Sequence, residues 1–405
     1  MNSRRVIVVG GGAAGFFAAI AAAELGADVT LLEKTARFLD KVRISGGGRC
    51  NVTHACFEPR EFATRYPRGE RALLAPFQKF SVHDTVMWFA ARGVTLKTEK
   101  DGRMFPTTDS SQTIVDCLMA AAEKAGVKLR LNCGVESIAK LAAGGFELSL
   151  GGGEKIACDK LLLATGGCRA AAAGQLAVAQ GHTLEAPVPS LFTFQIESPW
   201  LRSLAGVAVE AEVSVPVAKL RESGPLLLTH WGVSGPAILK MSAWGARTLH
   251  GLDYKFPLFV NWVPHLTVEK IAEELASRRH KFPAKYIGNN SFAPLPLRLW
   301  EQLVLAAGIA RETRWSVVTR AQIHALTQQL TRSEFAVTGK SLNKDEFVTC
   351  GGVKLGELNF KTMESKLCPG LFFAGELLDI DGVTGGFNFQ AAWTTGFIAG
   401  QSMAA

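Results

Sequence analysis

Residues Val6-Ile7-Val8-Val9 run directly into Gly10-Gly11-Gly12-Ala13-Ala14-Gly15. An alanine-rich apolar stretch then leads to Val29-Thr30-Leu31-Leu32 and an acid, Glu33, 18 positions after Gly15. Strand, glycine turn, helix, second strand and terminal acid in this order predict a βαβ unit that holds a dinucleotide. Each glycine has its own task. Gly10 permits the tight turn off the first strand, Gly12 lets a pyrophosphate approach the backbone, and Gly15 lets the helix lie close to the strand. The helix start, with Ala13 and Ala14, offers unpaired N–H groups and the positive end of its dipole to the phosphates. Glu33, with Lys34 beside it, is placed to accept hydrogen bonds from ribose hydroxyls.

At 405 residues, 48% of them hydrophobic, the chain is long enough to bury two or three cores. Arg4 and Arg5 before an apolar run imitate a secretory signal, but the triple glycine interrupts the run. The expectation is therefore no targeting segment, no membrane span and a cytoplasmic protein. Eight cysteines (Cys50, Cys56, Cys117, Cys133, Cys158, Cys168, Cys350, Cys368) show no CxxC pair and no His/Cys spacing for zinc. They read as thiols of a reducing compartment, with no metal site.

Which dinucleotide binds is decided at the far end of the chain. Leu371-Phe372-Phe373-Ala374-Gly375-Glu376 is an apolar strand ending in a glycine and an acid, and Gly385-Gly386-Phe387-Asn388 then opens a small-residue helix. A nicotinamide cofactor needs no such second site. FAD does, because its ribityl chain and ring extend past the pyrophosphate. Glu376 is the candidate for the ribityl hydroxyls, and the Gly385 to Asn388 turn for the flavin pyrimidine edge, where charge collects on reduction. Ser45-Gly46-Gly47-Gly48-Arg49-Cys50-Asn51 suits a loop wrapping a planar anionic ligand. Val135 joins the cofactor set, and Ala164-Thr165-Gly166 is a small-residue turn after an apolar strand, fit to pass under the nucleotide. No second GxGxxG follows a strand, so one FAD is expected, with NADH or NADPH as a transient electron donor.

The segments GGGAAG, SGGGRCN, LTHWGVSGP (Leu228 to Pro236), TCGGV (Thr349 to Val353) and FAGELLDIDGVTGGFNFQAAW (Phe373 to Trp393) together resemble the BaiN/RdsA-type bacterial flavoproteins. The resemblance runs through essentially the whole chain. It implies a two-dinucleotide-binding-domain flavoprotein fold: an α/β, Rossmann-like FAD domain interrupted by a β-barrel-like domain that itself carries a helical sub-domain. It also implies reduction of activated C=C bonds, in steroid-like substrates for some members and in a uridine of ribosomal RNA for others.

The pattern along the chain is compatible with that layout. The FAD domain is expected over 1–190 and 340–405, the barrel over 191–266 with strands returning near 341–355, and helices over 267–339. Val207 to Val215 alternates with period 2, whereas helical spacing with Thr caps begins at Thr267 and again at Thr319. Between 267 and 340, eleven Lys or Arg face six Glu, a net +5 of the chain's +8. With His280, Tyr286, Trp300 and Trp315 interleaved, this stretch is a candidate surface for ribosomal RNA. Arg278, Arg279, Lys281 and Lys285 would contact phosphates, and the competing reading is a solvated helical face.

The chemistry expected is hydride delivery to the β-carbon of a conjugated C=C, protonation of the α-carbon and stabilisation of the enolate oxygen. The candidates are His230, Cys50, Asn388 and Arg49. Each has a plainer reading: Arg49 and Asn51 as FAD ligands, Cys50 as a buried filler, His230 as a bond within the barrel turn. A small-molecule enone or steroid reductase, an amine or amino-acid oxidase, and a non-catalytic RNA-binding flavoprotein stay open, as does the oligomeric state, monomer included.

Overall fold

The computed structural model describes residues 3–168, 171–340 and 348–405, the side chains of 171–173 excepted. It divides into two compact units, Met1–Ser190 with Asn343–Ala405, and Leu191–Leu342.

The first unit is built on a sheet ordered Leu358–Asn359, Glu364–Ser365, Leu371–Phe373, Lys160–Leu163, Arg5–Val9, Asp28–Leu32, Lys128–Arg130. From Leu371–Phe373 onward the strands run parallel, and the first two add an antiparallel edge. The central strands are almost continuously apolar and buried, with Ala13–Glu24 and Phe387–Ala404 packed on them. Register then sets the site. Val9 pairs with Leu32 on one side and Leu163 on the other, and Leu163 pairs with Phe373. Gly10, Glu33, Ala164 and Ala374 thus leave the sheet side by side at its carboxyl edge, where open α/β sheets bind ligands.

The alanine-rich helix Ala13–Glu24 is buried from Ala14 to Ala22. It packs on the last helix, Phe387–Ala404. A Cβ on Gly396 or Gly400 would fall 2.3 Å from the carbonyl oxygen of Ala14 or Ala18. Only glycine allows backbones that close. Elsewhere in this unit, Thr53–His54, Arg103–Pro106 and Leu96–Thr98 form one small sheet. Phe146–Leu150 and Lys155–Cys158 form a hairpin.

The second unit holds a closed barrel of Phe194–Ile196, Gly232–Ser234, Leu220–Thr229, Ala208–Val215, Phe256–Asn261 and Ser333–Lys340. Helices Val268–Lys281, Leu297–Ala306 and Arg320–Arg332 lie in sequence between its last two strands. Thr267 Oγ1 caps the first by accepting from Lys270 N–H, and Thr319 with Gln322 forms a capping box on the third.

The returning barrel strand is not where the sequence reading put it. Ser333–Lys340 closes the barrel, while Val348–Val353, inside the expected 341–355, pairs with Leu184–Ser190 in the first unit. The alternation Ser333-Glu334-Phe335-Ala336-Val337-Thr338 is buried and exposed in turn. It follows the preceding helix with no Gly or Pro to separate them, so the period change is hidden. Among the described residues, no helix is long and apolar enough to cross a membrane, and no His, Cys, Asp and Glu cluster suits a metal.

Candidate functional site

Gly10, at φ +113°, lies so close to the neighbouring strand that a Cβ would stand 2.3 Å from Ala164 O. A Cβ on Gly15 would stand 1.9 Å from Gly10 O. Gly12 differs. Its backbone, φ −93° and ψ −171°, is open to any residue, and no atom lies within 4 Å of its Cβ position. Nothing in the protein itself requires glycine there, but a pyrophosphate lying on the first turn of the helix does. The N–H groups of Ala13, Ala14 and Gly15 have no intrahelical partners, and no acid occupies that turn. Gly166 also has nothing within 4 Å of its Cβ position, so open space continues along the sheet edge. These residues fit a dinucleotide.

Glu33 is held in place by the same turn. One oxygen accepts from Gly11 N–H at 2.8 Å, and the other from Thr35 N–H and Oγ1, each at 2.9 Å. Cys133 N–H donates to Glu33 O at 2.8 Å. That bond draws Gly134 and half-buried Val135 alongside exposed Lys34. Glu376 accepts from Thr349 N–H at 2.8 Å and pairs with Lys41. Gly375, at φ +72°, abuts Ala14, with a Cβ position 2.9 Å from the Ala14 methyl. Lys41 and Thr349 escaped the sequence reading. Lys41 carries no local signal, and Thr349 contributes only backbone.

The glycine loop is a helical turn, Asp40–Gly48, broken at Ser45 and left-handed at Gly46 and Gly47. Asn51, in the amide orientation that satisfies both neighbours, accepts from Gly386 N–H at 2.9 Å and donates to Thr53 O at 3.0 Å. It thereby ties this loop to the last helix. Gly386 N–H is consumed, and the unpaired donors at that terminus are the N–H groups of Phe387 to Phe389.

Three of the four catalytic candidates have other work. Cys50 is wholly buried, and burial pushes its thiol up to about 12. It cannot touch a substrate, so its role as a proton donor is withdrawn. Arg49 pairs with Glu99 at 2.6 Å and Asp109 at 3.5 Å, and lies 4.0 Å over the Phe105 ring. Asn388 clamps Gly382 from both sides, accepting from its N–H at 2.8 Å and donating to its oxygen at 2.9 Å. Its side chain shapes the Asp381 to Gly386 loop. His230 belongs to the second unit, exposed with Trp231 at the turn between Leu220–Thr229 and Gly232–Ser234.

The basic stretch also divides. Arg278 is buried, donating to Asn290 O at 2.9 Å and Ser291 O at 3.0 Å and pairing with Glu274 at 3.0 Å. Lys281 pairs with the same carboxylate at 3.4 Å. Trp300 and Trp315 are wholly buried, their indole N–H groups donating to Ile287 O and Asn290 Oδ1. Arg278 therefore binds no phosphate, and these indoles stack on no base. Lys270, Lys281, Lys285, Arg298, Arg314 and Arg320 stay exposed, with His280 and Tyr286, and the Arg314 guanidinium carbon is 5.9 Å from the Tyr286 ring centre.

A glycine turn and two acids gathered at one edge of a parallel sheet are the arrangement of an FAD-dependent oxidoreductase. The chain belongs to the HI0933-like family, whose model, described as HI0933-like protein Rossmann domain, matches residues 4–402. It is 33% identical over 395 residues to the ribosomal RNA dihydrouridine synthase of Escherichia coli (strain K12), covering 95% of this chain and 94% of that one. It is 28% identical over 399 residues to the 3-dehydro-bile acid delta(4,6)-reductase of Clostridium scindens, covering 96% of each. Among solved structures, 3-ketosteroid-delta4-(5alpha)-dehydrogenase from Rhodococcus jostii RHA1 matches with a TM-score of 0.55 at 17% identity, over 99% of this chain and 97% of that one. That likeness is one of fold.

Proposed function

We propose that this chain reduces an activated C=C bond, and that its substrate is a uridine of ribosomal RNA. The alignment of Gly10, Glu33, Ala164 and Ala374 at one sheet edge carries the flavin part of the reading. Bound and reduced, FAD supplies a hydride, and NADH or NADPH is the proposed source of its electrons. The Gly10 to Gly15 turn, with Ala13 and Ala14, holds the pyrophosphate, Glu33 the adenosine ribose, and Lys34 and Val135 flank it. Ser45, Gly46, Gly47 and Asn51 shape the loop over the ring, and Thr165, Gly166, Gly375 and Glu376 bound the ribityl side. The N–H groups at the start of Phe387–Ala404, behind Gly385 and Gly386, stabilise negative charge on the pyrimidine edge. Of the proton-donor candidates, His230 is retained because it alone is exposed and not engaged in an ion pair or clamp.

The RNA part is supported by the 33% identity to a protein named for ribosomal RNA dihydrouridine, and by Lys285 and Arg314 standing outward. A base within a helix cannot reach a buried ring, so the uridine would have to be unstacked and flipped. A small cyclic enone is the second reading, favoured by the 28% identity to a bile-acid reductase. Nucleoside mass analysis of ribosomal RNA from cells with and without the protein tests the choice. Dihydrouridine disappearing with the protein supports RNA, and an unchanged nucleoside profile overturns it. In vitro, Lys285→Glu/Arg314→Glu should cut turnover of an RNA fragment by roughly tenfold while leaving a cyclic enone untouched.

A further inference from the structure

A cleft of about 370 Å³ opens on the outer face of the barrel in the second unit. Strand alternation builds it. Ala211, Val213 and Val215 turn inward, so Glu212 and Ser214 point out. On the paired strand Leu258 and Val260 turn inward, so Phe259 and Asn261 point out. Register sets Glu212 opposite Asn261, and Ser214 between Phe259 and Arg221. Arg332, in the last turn of Arg320–Arg332, reaches over this floor with its guanidinium carbon 4.5 Å from the Phe259 ring centre.

We propose that this cleft binds one nucleotide of single-stranded RNA, with Arg332 as the stacking platform and Arg221 as the phosphate contact. The proposal rests on the RNA reading above and names a contact surface that reading lacks. A guanidinium backed by an aromatic ring keeps its second face for a base, and such stacking tolerates any sequence. Among the described residues Arg332 has no carboxylate partner. Arg221 has only a loose one, Glu212 at 3.7 Å, and its side chain is 72% exposed. The floor supplies complementary edges. Asn261 Oδ1 accepts from Val263 N–H at 3.0 Å, and the residue stands opposite Glu212 in the register, an amide donor paired with a carboxylate acceptor. Arg221 and Arg332 face Glu212 within the cleft, and Glu334, paired with Phe259, stands at its edge.

The test is binding of a fluorescent oligouridylate to the FAD-loaded protein across a salt series. Arg221→Glu/Arg332→Glu is compared with Lys124→Glu/Arg71→Glu, an equal charge change on exposed positions of the first unit. The cleft pair should weaken binding by roughly tenfold or more and lower the salt slope by about 0.7, the value for one single-strand phosphate contact, with flavin spectrum and melting temperature unchanged. Arg332→Lys, which keeps charge and loses the flat face, should fall between. Equal weakening by both pairs, or none by the cleft pair, overturns the cleft while leaving the RNA reading intact. Wild-type protein that binds no RNA at low salt overturns both.

Discussion

The nucleotide turn of the first unit and the helical insertion of the second solve the same problem, close approach of polar backbone, in opposite ways. At Gly10, Gly15, Gly396 and Gly400 side chains are removed so that backbone meets backbone at 2.3 Å or less from a would-be Cβ. Around Asn290 large side chains are added instead. Arg278 and Trp315 carry donors inward and satisfy the loop from within. The first device leaves donors facing empty space beside Gly12. The second leaves none. Subtraction makes a ligand site, and addition makes a core.

The contrast is broken most directly by truncating an inward donor. Trp315→Ala removes a buried indole and one of the two donors to Asn290 Oδ1, so it should destabilise the second unit by about 3–5 kcal/mol in chemical denaturation. A loss under about 1 kcal/mol would mean that the indole is not part of the core. A sharper probe makes one substitution at two glycines. Gly15→Ala drives a methyl into Gly10 O and should cost about 3 kcal/mol in the apoprotein. Gly12→Ala should stay within about 0.5 kcal/mol of wild type, yet weaken FAD binding by tenfold or more, because its methyl meets only the cofactor. If Gly12→Ala retained FAD normally, the open space there would not be the pyrophosphate's.

The smallest effect is electrostatic. His182 is buried between Glu357, at 3.0 Å from Nδ1, and Ser365 Oγ, at 2.8 Å from Nε2. Burial lowers its pKa from 6.5, with Glu357 pulling the other way. The unfolded chain therefore takes up a proton below pH 6.5 that the folded chain declines, and stability falls as pH falls, by at most about 1.4 kcal/mol per unit. His182→Gln should flatten that part of the curve between pH 7 and 5.5. An unaltered slope would assign the acid sensitivity to other groups.

Legibility in the sequence followed the same division. Gly10, Gly12, Gly15, Glu33 and Glu376 could be assigned positions because a glycine that must be glycine, or an acid at a strand end, is a statement about backbone. Arg278, Trp300 and Trp315 could not. Residue type says that a side chain carries charge or a ring, but three short helices leave its direction to packing. Asn388 was legible as important and not as structural, since the partner that consumes it, Gly382, is a backbone group with no signature. Ser333–Lys340 was missed because a helix passes into it without punctuation.

The seam between Ala13–Glu24 and Phe387–Ala404 joins segments that the inserted barrel unit separates in the sequence. On the ribosome the first helix emerges with its alanine face uncovered, and the residues that cover it arrive only after the entire barrel unit has been translated. The inserted unit has all its strands in hand by Lys340, well before the flavin sheet gains Leu371–Phe373. A chain arrested between those points has every strand of the barrel and lacks both Leu371–Phe373 and the helix that covers the alanine face.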